Sequence, residues 1–144
     1  MKSKTSLIAL AVTVSGFTLT ANALAAPAGF LPATHSQGEV AYLSGGIGVN
    51  EANAIKQVAK AYPLELEFVL KAKPKEQYLA DVKVRIKDAH GRTMLDATAG
   101  GPFLLANLPA GNYTVSADRD GKVERQRIDI GAGEHRRLVF EWAS

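Results

Sequence analysis

From Leu64 onward, apolar side chains recur at every second position. Leu64, Leu66, Phe68 and Leu70 alternate with Glu65 and Glu67; Ala80, Val82, Val84 and Ile86 alternate with Asp81, Lys83, Arg85 and Lys87. Successive strand side chains point to opposite faces of a sheet, so each run predicts a strand with one buried and one wet face. The same period returns in Tyr113, Val115 and Ala117, and again in Leu138, Phe140 and Trp142. Shorter strands are predicted over Thr93 to Ala97 and Phe103 to Leu108, separated by Gly100-Gly101-Pro102. Asp120-Gly121 predicts a two-residue hairpin turn. The return strand ends in Ile128 and Ile130, but Val123 to Arg127 keeps another phase and predicts a bulge or a hairpin tip beyond the core.

Ahead of Leu64 the period is 3.6. Ala54, Ile55, Val58, Ala59 and Tyr62 share one helical face, Lys56, Gln57 and Lys60 occupy the other, and Pro63 ends the element. Asn50 is the predicted N-cap. A short strand over Glu39 to Leu43 and the turn Ser44-Gly45-Gly46-Ile47-Gly48 lead into this helix. The pattern predicts a mainly β protein: a seven- to eight-stranded β-sandwich with one N-terminal amphipathic helix.

The first residues have a different character. Lys2 and Lys4 precede an apolar run from Leu7 to Leu19 and a small-residue site at Ala23-Leu24-Ala25, the layout of a cleavable secretory signal. The run is too short for a bilayer span of about 20 residues. The predicted organisation is a signal peptide over 1–25, a flexible leader rich in small residues over 26–38, the strand, glycine turn and helix over 39–63, and the sandwich over 64–144, the last two forming one domain. The expected location is periplasmic or secreted. The chain has 17 basic and 14 acidic side chains; without Lys2 and Lys4 the balance is 15 to 14. Bulk charge alone therefore does not call for a polyanion.

The sequence contains no cysteine. That removes disulfides, cysteine nucleophiles and a lipid anchor on a cysteine, so no membrane anchor is expected. Neither a GxSxG elbow nor an SxxK pair follows the signal. His90 and His135 fall in predicted turns, either as solvated side chains or as a pair meeting at one end of the sandwich to hold a metal. Ser44, Gly45, Gly46 and Gly48 form either a tight strand-to-helix turn or a nest of amides for an anion. Arg119, Lys122, Arg125, Arg127, Arg136 and Arg137 gather towards the C-terminus, and Lys83, Arg85 and Lys87 repeat on an outward face. They read either as solubilising charge on strand faces and edges or as an electropositive patch for an acidic envelope polymer or protein. Acidic residues are interleaved and aromatic ones are not, which argues against nucleic acid.

Two stretches carry a family likeness. Tyr78-Leu79-Ala80-Asp81-Val82 with Val84, Ile86, Asp88 and Gly91 resembles the opening strand and turn of carboxypeptidase regulatory-like domains. Phe103, Leu108-Pro109-Ala110-Gly111-Asn112-Tyr113-Thr114-Val115 and Gly121 resemble their middle, where an LPxGxYxV pattern recurs. The likeness spans roughly Tyr78 to Trp142 and implies a prealbumin-like (transthyretin-like) sandwich of the kind found as non-catalytic appendages or free-standing exported modules. None of the three histidines lies in the His/Glu spacing of a zinc peptidase, and Arg136 to Trp142 has no Asn for a pilin-type isopeptide crosslink. Tyr113 reads as architecture, its ring buried and its hydroxyl turned back to the chain. The expected function is a non-catalytic binding or scaffolding module of the cell envelope with no cofactor. The alternatives are a self-associating structural protein, or a small-molecule or metal carrier.

Overall fold

A computed structural model describes residues 29–144; the predicted signal over 1–25 and the start of the predicted leader lie outside them. Ten strands and one helix follow in order: β1 (His35–Gln37), β2 (Val40–Gly45), α1 (Val49–Val58) continued by a 3-10 turn (Ala59–Ala61), β3 (Leu64–Lys71), β4 (Gln77–Tyr78), β5 (Lys83–Asp88), β6 (Thr93–Thr98), β7 (Phe103–Asn107), β8 (Gly111–Arg119), β9 (Lys122–Ile130) and β10 (Arg136–Ala143). Sheet A runs β1-β2-β7-β3-β10, with β4 pairing the far end of β3; sheet B runs β6-β5-β8-β9. Every pairing is antiparallel except β3 with β10. The chain is the mainly β sandwich, with one helix near its start, that the alternation predicts.

Between the sheets lie the even-numbered side chains of β3 and β10 and their partners. Leu64, Leu66, Phe68, Val84, Ile86, Leu104, Val115, Phe140 and Trp142 form one buried cluster. Phe68, Phe140 and Trp142 stack through it, with ring centroids 6.0–6.5 Å apart. A second cluster lies on the other side of sheet A, where Ile55 and Ala59 of the helix cover Leu43, Phe103 and Leu105. Completely burying Ile55 there contributes about 2–3 kcal/mol. Strand β7 is therefore covered on both faces, which its unbroken run Phe103-Leu104-Leu105-Ala106 requires.

Two local expectations are corrected, and one left open between two alternatives is resolved. The helix begins at Val49, with Gly48 as its cap and no side-chain capping bond, so Asn50 sits inside the first turn. Val123 to Arg127 contains no bulge: β8 and β9 pair without a register break from Gly111↔Ile130 to Arg119↔Lys122. Asp120 (φ 50°) and Gly121 (φ 87°) close the hairpin, the double left-handed geometry of a type I′ turn. Its tip runs past the core. Finally, His35–Gln37, placed by composition in the leader, is a strand on β2.

That short strand has a physical reason. The Gln37 amide donates to the Asp96 carbonyl (2.7 Å) and accepts from the Asp96 amide (3.0 Å), so one side chain satisfies both backbone groups of a residue on the edge strand β6. On the opposite side, Gln126 Nε2 donates to the Val139 carbonyl of the edge strand β10 (2.8 Å), and Trp142 Nε1 donates to the Lys122 carbonyl (2.9 Å). Unpaired edges invite strand addition, and both sides of this sandwich spend a glutamine against it.

Tyr113 is 5% exposed and its hydroxyl donates to the Pro109 carbonyl at 2.6 Å. Burial pushes the hydroxyl up from the usual tyrosine range, so it stays a donor. Tyr113→Phe should lower stability by about 1 kcal/mol, the net worth of one such bond. A urea midpoint unchanged by the substitution would show that the hydroxyl contributes nothing.

At the β5–β6 turn, Asp88 Oδ1 accepts the amides of Arg92 and His90, each at 2.9 Å, and Arg92 Nε lies 3.3 Å from Oδ2. The Arg92 amide above all, then the His90 amide and the Arg92 charge, hold the Asp88 carboxyl below its ordinary value. A carboxylate depressed in the folded state contributes stability above its unfolded pKa of about 3.9, which is lost as pH falls through the folded value. Asp88→Asn, which keeps an acceptor but not the charge, should flatten the fall of the urea midpoint below about pH 4. An identical acid slope in both proteins would exclude this carboxylate as a source.

Candidate functional site

The outward face of sheet B is built from three rungs set by strand register. Lys83 lies beside Asp118, which lies beside Val123; Ser116 lies between Arg85 and Arg125, and Thr114 between Lys87 and Arg127. Their core-facing neighbours Val84, Ile86, Val115 and Ala117 are fully buried, which fixes this set outward. Lys83, Arg85, Lys87, Arg125 and Arg127 are exposed, whereas Thr114 and Ser116 are half-buried between them. Arg85 and Lys87 of β5 and Arg125 and Arg127 of β9 thus form two walls over the short hydroxyl side chains of Ser116 and Thr114 on β8, while the Lys83 rung has Asp118 as its floor and Val123 opposite.

Two adjoining depressions occupy this face. One, of about 590 Å³, is lined by Lys83, Arg85, Lys87 and Arg125, by Thr114 and Ser116, and by the carboxylates Asp88, Asp96 and Asp118. The second, of about 650 Å³, includes Asn112, Thr114, Arg127 and Asp129; Asp88, Ala89 and Thr114 border both. Arg85 is paired with Asp96 at 3.1 Å. Among the described residues Lys83, Lys87, Arg125 and Arg127 make no ion pair.

The basic residues singled out in the sequence therefore separate into three groups. Arg125 and Arg127 join Lys83, Arg85 and Lys87 on one face. Arg119 and Lys122 pair at the base of the hairpin turn. Arg136 and Arg137 belong to the other sheet and are engaged there: Arg136 with Glu134 at 3.8 Å, Arg137 with Glu67 and, at 3.8 Å, Glu65.

The glycine turn already holds an anion from its own chain. Glu51 Oε1 accepts the Gly46 amide at 2.7 Å, and a Cβ on Gly45 would collide with that carboxylate. Ser44 Oγ accepts the Gly100 amide at 2.9 Å. These residues fasten the helix start to the loop before β7, with Gly48 as the helix cap.

Glu65 and Glu67, read from alternation as wet positions, are only 7% and 8% exposed. They sit on the helix-covered side of sheet A, in line with Leu105 and Phe103 of β7. His135 lies beside them, its Nδ1 2.6 Å from the Tyr62 carbonyl and its Nε2 3.0 Å from Glu65. A carbonyl only accepts, so Nδ1 is the donor to it, and Nε2 faces the Glu65 carboxylate. Both ring nitrogens being engaged, His135 is not brought to His90 as a metal pair; no group of three or more metal-ligating side chains occurs among the described residues. The unbroken apolar run of β7 signals cover on both of its faces, but not that the cover extends over Glu65 and Glu67 of its neighbour.

No family model matches the chain, and no curated protein matches it. Among solved structures, the minor pilin GBS52 of Streptococcus agalactiae is similar, with a TM-score of 0.44 and 16% identity over 56% of this chain. The match spans 43% of the pilin chain, less than half its length. Among the described residues no helix is long and apolar enough to cross a membrane.

Proposed function

We propose that this chain is an exported, non-catalytic β-sandwich module of the cell envelope that binds an acidic partner over the outer face of sheet B. One observation carries the reading: Lys87, Arg125 and Arg127 flank the hydroxyls of Thr114 and Ser116 and make no ion pair among the described residues. Asp96 is taken by Arg85 and Asp88 by Arg92, so around Thr114 and Ser116 positive charge exceeds that of the bordering Asp118 and Asp129, which raises the local concentration of anions. The likeness to carboxypeptidase regulatory-like domains supports a module without chemistry of its own, and the signal pattern over 1–25 supports export to the periplasm or beyond. Gln37 and Gln126, seated on β6 and β10, weigh against self-association by strand addition at those edges.

The test is retention of the exported chain on a carboxylate-bearing matrix at low salt. An exposed charge contact is worth roughly 1 kcal/mol in water, so Lys87→Glu with Arg127→Glu should weaken binding at least about thirtyfold. Arg136→Glu, on the other sheet, should leave it unchanged. Equal loss in the two proteins, or none in either, would remove this face as the binding site.

A further inference from the structure

Resting on that reading, we infer that the partner is a linear, carboxylated polysaccharide lying along β8. The rungs repeat at every second residue, about 7 Å apart along the strand, and the two cationic walls stand about 10 Å apart across three strands. That is a trough for an extended chain with an acidic group at each step, wide enough to have walls on both sides of it. Cations stand on both sides at two rungs, Arg85 with Arg125 and Lys87 with Arg127; Asp118 at one end and Asp129 beyond the other bound them, and Lys83 extends one wall past Asp118.

The floor selects among polyanions. Protein partners anchor through aromatic and apolar side chains in a desolvated centre, but Val123, 42% exposed, is the large apolar side chain that the rungs present. Single-stranded nucleic acid needs aromatic platforms for its bases, and the rungs carry none. A neutral sugar chain would leave the cations without partners. What the face offers is the hydroxyls of Thr114 and Ser116 between carboxylate-pairing cations, with the amide of Asn112 beside Asp129 at the end of the floor. A chain bearing hydroxyls along its length and a carboxylate on each unit uses both sets; guanidinium forks such as Arg125 and Arg127 suit planar carboxylates.

The experiment titrates the exported chain by calorimetry with oligogalacturonates of one to eight residues, beside polyphosphate and a poly-glutamate peptide of matched charge. Affinity for the oligogalacturonates should rise with length and level off near two or three residues, the number that two walled rungs and Lys83 accommodate, and exceed that for either comparator. Thr114→Val with Ser116→Ala should cost about tenfold against oligogalacturonate and leave polyphosphate binding unchanged. Melting of the variant checks that it folds, and should it not, Asn112→Ala with Ser116→Ala replaces it. If the three polyanions bind equally and the hydroxyl substitutions change nothing, the face reads charge alone: the polysaccharide assignment falls and the acidic-partner reading stands. A preference for poly-glutamate has the same consequence. If none binds at low salt, or binding ignores Lys87→Glu with Arg127→Glu, both fall.

Discussion

Arg137→Ala is expected to lower stability by about 3 kcal/mol, although Arg137 lies on an exposed edge strand. Parallel pairing places Arg137 directly beside Glu65, and its guanidinium reaches both Glu65 and Glu67. These carboxylates are almost wholly out of water because α1 and the 3-10 turn cover their side of sheet A. Removing one partner of a buried pair leaves an uncompensated charge, which costs about 3–5 kcal/mol; the half-exposed guanidinium puts the value at the low end. His135 compensates only in part, being held to Glu65 and to the Tyr62 carbonyl.

Three further variants isolate the cause. Glu67→Gln removes the charge that Arg137→Ala would strand, so the double variant should lose much less than the two single losses added together. Arg136→Ala, one residue away and loosely paired with Glu134 at 3.8 Å, should stay within about 0.5 kcal/mol of the parent. Urea midpoints measure all four proteins. If Arg137→Ala costs no more than Arg136→Ala, the carboxylates are hydrated and the burial argument is wrong.

This cluster also marks where the sequence stops being readable. Alternation identifies the sandwich interior well, because Leu66, Phe68, Val84, Ile86, Val115 and Phe140 need only a period of two to be placed inside. The helix, the Asp120-Gly121 hairpin and the corner role of Tyr113 are likewise local and legible. Glu65 and Glu67 are not, because whether an outward position is wet depends on what a distant segment lays over it. The parallel partnership of β3 with β10 brings together residues some 70 positions apart, and no local signal encodes it. The same limit applies to the cationic face. Lys83, Arg85 and Lys87 are visible as an outward rank, and so are Arg125 and Arg127. That β8 lies between them, while Arg136 and Arg137 lie on the opposite sheet, follows from strand order alone. The glycine turn misleads for a related reason, since the anion that satisfies its amide is Glu51 of the helix it introduces.

Adjacent glycines in the loop before β7 should respond very differently to alanine. A Cβ on Gly101 would be driven into the backbone carbonyl of Gly45, whereas one on Gly100 meets only ordinary contacts with Ser44 at 3.7 and 3.8 Å. Neither strand can yield cheaply. Pro102 accepts the Phe68 amide at 2.9 Å, tying the loop to β3, and Gly45 is pinned between β7 and the Glu51 carboxylate. Relief of the clash must move β2 away from β7 or push Glu51 off the Gly46 amide, and either disturbs the seat of the helix over Leu43 and Phe103. Forcing atoms into such a contact typically costs 1–3 kcal/mol and sometimes more; with backbone on both sides, about 3 kcal/mol is expected for Gly101→Ala. Gly100→Ala should cost under about 1 kcal/mol, because neither its packing nor its dihedral resists a methyl group. Thermal or urea unfolding of the two variants decides it. Similar losses would mean that the pair serves chain freedom in the loop, and that the close crossing of Gly45 and Gly101 does not hold the helix-bearing side of the sandwich together.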